Sequence, residues 1–310
     1  MDRPADLIRT MVKMILGLFF VTGTPEQEAL SLLGGAEVRY QIKLSDFFRD
    51  SDFFLFRDHD SVLKAVDDMR RKGRWGRSRP TAIVHVDYHS DLYRNNEHLV
   101  TPPNVGNYMS VLISRRIVDE IWWIMPDQTR GERVGLASFG VNGERQRKVF
   151  WGRNSYEDWQ FRDGPADQAI CVAENGALSF GPADKSCALK KVLLHKRTNG
   201  DILSGGTKVP EKYQVILDID SDFFDFTGLF ANDEAGESHP IEYRLHYKSV
   251  SILREEFGRL TAGVARMGFR PFLNTCAMSP DYISEEYEDE VEAFFRALGS
   301  YQRERSFYSY

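Results

Sequence analysis

The chain has 310 residues, of which 42% are hydrophobic, so it can bury one large core or two smaller ones. Its acidic and basic residues are interleaved and give a net charge of −6. This balance excludes the broad basic face expected of proteins that bind nucleic acid or an anionic membrane. The three cysteines form no CxxC pair, which argues against a disulfide framework and favours the reducing cytoplasm. We therefore expect a single cytoplasmic domain over residues 1–310, with no nucleic-acid or membrane partner.

The first 36 residues are expected to form a helical appendage to this domain. An apolar run at residues 14–21 follows several basic residues, as in a signal peptide. The run is too short to span a bilayer, however, and no small-residue cleavage site follows it. Pro25 can begin a second helix that Gly34 and Gly35 end, so the pattern predicts a helical hairpin.

Short apolar strands alternate with helices through much of the remaining chain. The predicted strands lie at residues 37–42, 53–56, 82–86, 121–125, 192–195, 213–217 and 271–275. The predicted helices lie at about residues 62–69, 108–117, 241–267 and 283–298. Because strands separated by helices pair in parallel, this alternation predicts an α/β fold with a mainly parallel sheet.

The alternation fails between residues 127 and 188. Glycines, arginines and aromatic residues follow one another there around short apolar runs, and no long helical period is present. We interpret residues 127–188 as an insertion rich in loops or β-structure. Aromatic residues in the insertion and the tail are expected to be packing or dimer contacts, or to line a groove for an extended peptide. The sequence therefore leaves open whether the protein forms a homo-oligomer.

Two acidic segments follow predicted strands, and the carboxyl ends of parallel strands meet at one edge of a sheet. Their acidic and histidine residues are Asp87, His89 and Asp91 after the first strand, and Asp218 and Asp220 after the second. A single Asp-x-Asp triplet often only caps a turn. Two such clusters at one edge would repel each other unless a cation neutralised them, so together they predict a metal site.

An earlier histidine, His59, stands between Asp58 and Asp60 and can add a further ligand. Carboxylate-dominated sites suit Mn²⁺ or Mg²⁺, whereas histidine ligands favour Mn²⁺ and keep Zn²⁺ or Fe²⁺ open. The donors suffice for two ions, and we expect two Mn²⁺ ions. His85 shares a strand face with Asp87 and is expected to orient ligands or to belong to the core.

The order and spacing of these residues resemble the arginase/deacetylase superfamily, specifically its binuclear manganese ureohydrolases. These enzymes carry an Asp-Ala-His-x-Asp motif, an Asp-x-Asp motif far downstream and an earlier histidine. Residues 87–91 match the first motif with Tyr88 in the alanine position, and residues 218–220 match the second. The resemblance covers roughly residues 58–279. It implies a three-layer arginase-like α/β fold.

The resemblance also implies the metal ligands. One Mn²⁺ would be held by His59, Asp87, Asp91 and Asp218. The other would be held by Asp87, His89, Asp218 and Asp220, so that Asp87 and Asp218 bridge the two ions. Two ions about 3.5–4 Å apart lower the pKa of a bridging water and provide hydroxide at neutral pH.

Residues 121–123 and 274–280 resemble a branch of this superfamily that contains the peptide arginases of ribosomal natural-product pathways, which convert arginine side chains of precursor peptides to ornithine. Ordinary arginases hold the α-carboxylate of free arginine with an asparagine where this chain has Tyr93. A peptide substrate has no such carboxylate to hold. Met109 and Ala277 replace a proton-shuttling histidine and a glutamate of ordinary arginases. The resemblance therefore implies an arginine-containing peptide, such as a ribosomal precursor, as the substrate.

The reaction implied by the resemblance is hydrolysis of the guanidino group to urea and ornithine. Asp91 would steady the tetrahedral intermediate, and His98 would protonate the leaving amine, although a solvated loop position explains His98 equally well. Tyr93 and Asn107 would contact the substrate. Asp222 would bind the guanidinium or orient a metal ligand, or it would only cap the turn in which it lies.

Other functions stay open. A zinc-dependent deacetylase or amidohydrolase of the same fold would hold one ion with Asp87, His89 and Asp218, but the paired adjacent histidines of such enzymes are absent from the sequence. A non-catalytic, metal-stabilised module would instead use the insertion to bind a peptide. A phosphohydrolase is less favoured, because the sequence has no GxxxxGK phosphate loop.

Overall fold

The structure of the protein is a computed structural model. It describes residues 47–48, 50–76, 78–92, 103–126, 132–134, 165–224, 226–230, 241–246, 250–280, 283, 285–300 and 304–307. The predicted helical appendage at 1–36, the predicted strand at 37–42 and most of the predicted insertion lie outside these residues.

Strands and helices alternate along the described chain. The strands are β1 (Asp52–Phe56), β2 (Thr81–Val86), β3 (Glu120–Met125), β4 (Glu132–Val134), β5 (Asp167–Val172), β6 (Leu178–Pro182), β7 (Lys190–Thr198), β8 (Gln214–Asp220), β9 (Phe226–Phe230), β10 (Ile241–His246), β11 (Pro271–Ala277) and β12 (Glu304–Phe307). The α-helices are α1 (Val62–Arg71), α2 (Tyr108–Ser114), α3 (Asn199–Leu203), α4 (Val250–Arg266) and α5 (Glu285–Gly299). Short 3₁₀ turns at His59–Ser61 and Ser221–Phe223 follow β1 and β8.

Nine of these strands form one sheet in the order β12, β1, β11, β8, β2, β3, β7, β5 and β6. The strands from β12 to β7 pair in parallel. Strands β5 and β6 extend the sheet beyond β7 by antiparallel pairing. The prediction of an α/β fold with a mainly parallel sheet is confirmed.

Residues 165–188, the described end of the predicted loop- or β-rich insertion, contain β5 and β6, which extend the main sheet. One helix differs from the sequence-based expectation. The helix predicted at 241–267 begins only at Val250, because residues 241–246 form β10. Ile241, Tyr243 and Leu245 alternate with polar residues there, which is the period of a strand rather than of a helix. Strand β10 pairs with β4 and β9 in a second, antiparallel sheet.

The main sheet separates two apolar clusters. Alternate residues of β1 belong to different clusters, with Phe53 and Leu55 in one and Phe54 and Phe56 in the other, as the strand period of two requires. Helices α4 and α5 supply apolar side chains to the first cluster, and α1 and α2 supply them to the second. Because helices cover both faces, the carboxyl edge of the parallel strands is the place where polar side chains can gather.

The sequence had led us to expect no disulfide, but two of the three cysteines form one. Cys171 in β5 and Cys187 after β6 form a disulfide, with their Cα atoms 5.3 Å apart, and only Cys276 among the three is free and buried. The two residues belong to no local Cys motif from which the pairing could be predicted. Cys187 lies in the segment that joins β6 to β7, and β5 pairs with both of these strands, which brings Cys171 close to it. The cytoplasmic location therefore stays a prediction without its original support. No helix in the described ranges combines the length and apolar character needed to cross a membrane.

Candidate metal centre

Neighbouring parallel strands bring the two acidic segments to one edge of the sheet. Strand β8 lies between β2 and β11, with His85 and Thr275 as the register partners of Asp218. Asp87 follows the last residue of β2, and Asp220 ends β8 opposite Ala277 of β11. All these residues are buried. The predicted meeting of the two acidic strand ends is therefore present in the structure.

His59 reaches the same edge from the turn after β1. Its Nδ1 atom lies 3.2 Å from Oδ2 of Asp87, 3.2 Å from Oδ2 of Asp91 and 2.7 Å from Oδ2 of Asp220. Its Nε2 atom lies 3.1 Å from Oδ2 of Asp218. The ring is 1% exposed. The structure thus brings the predicted earlier histidine together with four of the predicted aspartates.

Several of these atoms have no hydrogen-bond partner among the described residues. They are Nδ1 of His59, Oδ2 of Asp87 and Oδ2 of Asp91. When Nε2 of His59 carries the ring proton and donates it toward Asp218, Nδ1 presents a lone pair to the surrounding carboxylate oxygens. Buried lone pairs that face one another repel unless a cation or a proton lies between them. This geometry suits a metal ion.

His85 also lies in the centre, although the sequence predicted only an orienting or core role for it. Its Nδ1 lies 3.0 Å from Oδ2 of Asp218, and its Nε2 lies 3.4 Å from Oδ2 of Asp87. His59, His85, Asp87 and Asp91 each offer a ligand atom, and these atoms lie within 4.8 Å of one another. The signal in the sequence was the position of His85 two residues before Asp87, on the same face of the strand.

His89 belongs to a second group of ligand atoms beside the first. Its Nδ1 lies 2.6 Å from Oδ2 of Asp222 and 3.8 Å from Oδ1 of Asp87, and these three residues also offer ligand atoms within 4.8 Å of one another. Asp222 was expected to contact substrate or to orient a ligand. In the structure its other oxygen accepts a hydrogen bond from the backbone N–H of Tyr88, at 3.2 Å. Asp87 lies in both groups, and its bridging of two ions stays a prediction.

Asp218 is held by hydroxyl groups on both of its oxygens. Thr275 donates to Oδ1 at 2.6 Å, and the buried Tyr108 phenol donates to Oδ2 at 2.6 Å. The Tyr108 oxygen also lies 2.9 Å from Nε2 of His59 and 3.2 Å from Nδ1 of His85. Sequence reasoning missed Tyr108, although it directly follows Asn107 in the segment compared with arginases. Its bonds orient Asp218 and both histidines, as carboxylate–histidine pairs do around metals.

Asp220 and Asp91 are fixed by different means. The Ser279 hydroxyl donates to Oδ2 of Asp220 at 2.8 Å, and the backbone N–H of Asp222 lies 3.3 Å from its Oδ1. Asp91 and Ser279 both have positive φ, at 50° and 39°. Positive φ is costly for residues other than glycine and occurs where the surrounding structure requires it. Here it aims both side chains at the centre.

The excess of negative charge shifts the pKa values of the centre. Burial, and then the charges of Asp222 and Asp91, raise the pKa of Asp87 well above its usual range. Burial and the charge of Asp222 also raise the pKa of Asp220. Burial opposes ionisation of Asp218, but the charge of His59 outweighs it and holds the pKa of Asp218 well below its usual range. A bound divalent cation would neutralise the negative charge of these carboxylates, which protons neutralise when no cation is bound.

The donor set fits a transition metal. Carboxylates and imidazoles together suit Mn²⁺, Fe²⁺ or Zn²⁺, and the buried atoms without hydrogen bonds give a cation its ligands. The remaining predicted site residues fall elsewhere. Asn107 accepts a hydrogen bond from the backbone N–H of Asn104 at 2.8 Å and shapes the turn before α2. Tyr93 and His98 lie outside the described residues.

Comparisons with known proteins include a distant likeness to a solved structure. No protein-family model and no curated protein matches the chain. Among solved structures, the chain is similar to a hypothetical agmatinase from Burkholderia thailandensis, with 13% sequence identity and a TM-score of 0.34. The match covers 80% of this chain and 57% of that protein, so the chain spans less than two thirds of its length. A likeness this distant does not define an activity.

Proposed function

We propose that the protein is a binuclear manganese hydrolase that converts arginine side chains of a peptide to ornithine and releases urea. The observation that carries the proposal is the convergence of Nδ1 of His59 on carboxylate oxygens of Asp87, Asp91 and Asp220 in a buried site. Such a cage binds cations, and the reaction that the sequence resemblance implies requires one. The three-layer arginase-like arrangement is part of the proposal, supported by apolar clusters on both faces of the sheet.

The proposed ligands are those implied by the resemblance together with His85, which the geometry adds. The implied ligands are His59, Asp87, His89 and Asp91, with Asp218 and Asp220, which lie against the His59 ring. Asp222 offers the remaining ligand atom of the second group. Bound ions at this centre would supply a hydroxide nucleophile at neutral pH. Asp87 belongs to both groups of ligand atoms and is the residue best placed to serve both ions.

The protein's own residues would bind the guanidinium and manage its protons. The buried carboxylates form a negative site that attracts a cationic side chain. Asp222 is buried beside His89 and would accept hydrogen bonds from the guanidinium. Hydrolysis breaks one C–N bond of the guanidino group, and the leaving amine takes up a proton. We assign that proton to His98, as the sequence suggested.

A second reaction is favoured by one observation. His59 and His85, which are distant in the sequence, lie with ring centroids 5.6 Å apart beside Asp218 and the Tyr108 phenol. This supplies the pair of histidines that a zinc-dependent deacetylase or amidohydrolase would need for proton transfer, and which the sequence lacks as adjacent residues. The two reactions differ in substrate, so they can be tested together.

Mass spectrometry of candidate substrates tests the proposal. The manganese-loaded protein would be incubated with an arginine-containing peptide, with free arginine and with an acyl-lysine peptide. We expect the arginine peptide to lose about 42 Da per modified residue, which is the mass of the amidino group exchanged for hydrogen. Unchanged arginine peptides beside deacylated lysine would favour the second reaction.

Asp220→Ala separates a hydrolase from a binding module. The substitution should reduce turnover by orders of magnitude while the protein stays folded. Asp68→Ala, on the surface of α1 where Asp68 pairs with Lys72, is the matched control and should keep full turnover. If no substrate changes mass and Asp220→Ala binds peptide as well as the unmodified protein, the proposal of a hydrolase is wrong.

A further inference from the structure

A cavity lined by arginines lies at the opposite edge of the sheet from the metal centre. It has a volume of about 890 Å³, and Arg70, Arg79, Arg115, Arg116 and Asp119 supply its charged lining. We call it the arginine cavity. Its wall includes Pro80 and Thr81 before and at the start of β2, whereas Asp87 follows the end of that strand. Six strand residues span about 20 Å, so the cavity and the metal centre are separate sites.

The charge of the arginine cavity is largely uncompensated by the residues that the structure describes. The carboxylate of Asp119 is already engaged, because it lies 3.1 Å from Nζ of Lys190 and accepts a hydrogen bond from the backbone N–H of Thr81. Within the described ranges, the guanidinium groups of Arg70 and Arg116 form no ion pair. Arg115 lies 3.7 Å from Asp67 at an exposed position, where such a pair contributes little.

Arg79 is fixed in place by the backbone. Its guanidinium donates to the carbonyl oxygens of Glu211 and Tyr213, each at 2.6 Å, and to that of Lys212 at 3.3 Å. Neutral carbonyl groups leave its positive charge in the wall of the cavity. Trp75 adds a half-buried indole, which packs edge-on against Phe272 with ring centroids 5.2 Å apart. The cavity therefore combines oriented positive charge with a planar apolar surface.

Arg116 occupies a backbone position that favours glycine. Its φ is +57°, and it follows the end of α2 in a Schellman turn, in which the N–H of Ile117 bonds to the carbonyl of Leu112 at 3.0 Å. Gly73 and Gly268 occupy the corresponding positions after α1 and α4, with φ of +66° and +79°. Arginine is strained there and glycine is not. A positive charge at the end of α2 would complement the helix dipole, but Arg115 already supplies one there. The helix dipole therefore does not explain why an arginine occupies the strained position 116.

Strained residues of this kind also occur at the candidate metal centre. Among the described residues other than glycine, positive φ is found at Asp91, Ser279 and Arg116. Asp91 and Ser279 point into the metal centre. Arg116 lines the arginine cavity. Strain that the structure retains at a ligand site marks a side chain whose position matters more than the stability it costs.

We propose that the arginine cavity binds the diphosphate group of a small molecule. Guanidinium groups recognise phosphate oxygens through paired, charge-assisted hydrogen bonds, and several arginines around one cavity suit adjacent phosphates. The volume falls in the range of small-molecule sites. The diphosphate belongs either to inorganic pyrophosphate or to a nucleoside diphosphate, whose base would stack on Trp75. This site is independent of the proposed hydrolase reaction.

Calorimetric titration of the full-length, manganese-loaded protein with pyrophosphate and with ADP tests the proposal. We expect saturable binding of at least one of them at about 0.15 M salt, where non-specific surface attraction is screened. Binding of both identifies the phosphates as the recognised group, and binding of ADP alone adds a contribution from the base. Absence of saturable binding of either, or equal binding of citrate, overturns the proposal.

Arg116→Gly gives the sharpest test, because its two expected effects have opposite signs. Glycine relieves the strained φ and so stabilises the folded protein. The Tm of the variant should therefore rise by about 2–4 °C. The affinity for the diphosphate should fall about tenfold or more, because one charged donor is lost. Unchanged affinity in Arg116→Gly would overturn the proposal whatever happens to the Tm.

A second variant and a matched control complete the design. Arg70→Gln removes another guanidinium of the cavity and should also weaken binding about tenfold. Arg71→Gln changes the neighbouring arginine, which lies outside the cavity, is 78% exposed and pairs with Asp68. It should bind the diphosphate as the unmodified protein does. Equal losses in Arg71→Gln and Arg70→Gln would indicate general charge attraction and contradict a defined site.

Discussion

Nδ1 of His59 lies 2.7 Å from Oδ2 of Asp220, in a site where both side chains are almost completely buried. His59 follows β1 and Asp220 ends β8, and β11 lies between these two strands in the sheet. Oxygens of Asp87 and Asp91 approach the same nitrogen. This meeting of a ring nitrogen with carboxylates is the basis of the predictions about metal.

Asp220→Asn should lower the metal content of the protein. The amide keeps an oxygen that can accept from Ser279, but it loses the negative charge that attracts a cation. We expect at least one equivalent of manganese to be lost after dialysis, as measured by elemental analysis. Asp68→Asn on α1 should keep the content of the unmodified protein. Equal metal content in both variants would contradict the role of Asp220 as a ligand.

Metal removal should destabilise the fold. The carboxylates around His59 repel one another when no cation is present, and an ion that binds only the folded state stabilises that state. Free Mn²⁺ at 100 times its Kd would add about 2.7 kcal/mol to the free energy of unfolding for one site. Thermal melting with EDTA and with Mn²⁺ measures this difference. Identical melting curves would show that the folded protein has no metal site of useful affinity.

Tyr108→Phe should weaken metal binding without removing any ligand. The phenylalanine ring fills the same space, but Asp218 loses the hydroxyl that donates to its Oδ2 at 2.6 Å. Loss of such an orienting hydrogen bond lowers metal affinity by about 10–100-fold. Thr275→Val removes the donor to Oδ1 and should act in the same direction. Competition with a chelating dye gives the affinities.

Thr261→Val is the matched control for the threonine substitution. The Thr261 hydroxyl donates to the carbonyl of Phe257 within α4, away from the centre. Its removal should leave metal affinity unchanged. If Thr261→Val and Thr275→Val weaken metal binding equally, the effect comes from general loss of stability and not from the orientation of Asp218.

His195 should make stability depend on pH. Burial disfavours its charged form, but hydrogen bonds to Glu120 of β3 and Asp167 of β5 outweigh burial and raise its pKa. Arg197, Trp122 and Tyr213 are the other neighbours of this cluster. A raised histidine pKa adds stability that is fully present below about pH 6.5, the unfolded value, and is lost as the pH rises through the folded value.

The measurement compares unfolding of the unmodified protein with that of His195→Gln as the pH rises. Both proteins would be saturated with Mn²⁺, so that the metal centre contributes equally. We expect the unmodified protein to lose more of its unfolding free energy above pH 6.5 than the variant does, because glutamine has no proton to release. Parallel pH profiles would show that His195 is not the group responsible.

The disulfide predicts the number of reactive thiols. The sequence has three cysteines, and pairing of Cys171 with Cys187 leaves Cys276 free. Denatured, non-reduced protein should therefore show one thiol, and native protein none that reacts quickly, because Cys276 is buried. Cys171→Ser should reduce stability by about 3 kcal/mol, the entropic value for a loop of this length. Three reactive thiols without reductant would contradict the pairing.

The sequence by itself determined the parallel sheet and the edge at which the candidate metal centre lies. Both depend on local patterns. Apolar strands alternate with helices, and the acidic residues of 87–91 and 218–222 come at strand ends, so parallel pairing alone brings them to one edge. The prediction that His59 joins them also agrees with the structure, because β1 is parallel to its neighbours and ends at that same edge.

Only the tertiary structure decided which side chains meet within that edge. His85 and Tyr108 enter the centre, and His89 turns toward Asp222, because strand register and packing fix their side-chain directions. Cys171 reaches Cys187 because β5 lies between β6 and β7 in the sheet, and Cys187 lies in the segment that joins those two strands. The period of a strand states which face a side chain occupies but not which distant residue it contacts. That choice depends on how the strands are ordered in the sheet, which a single sequence does not encode locally.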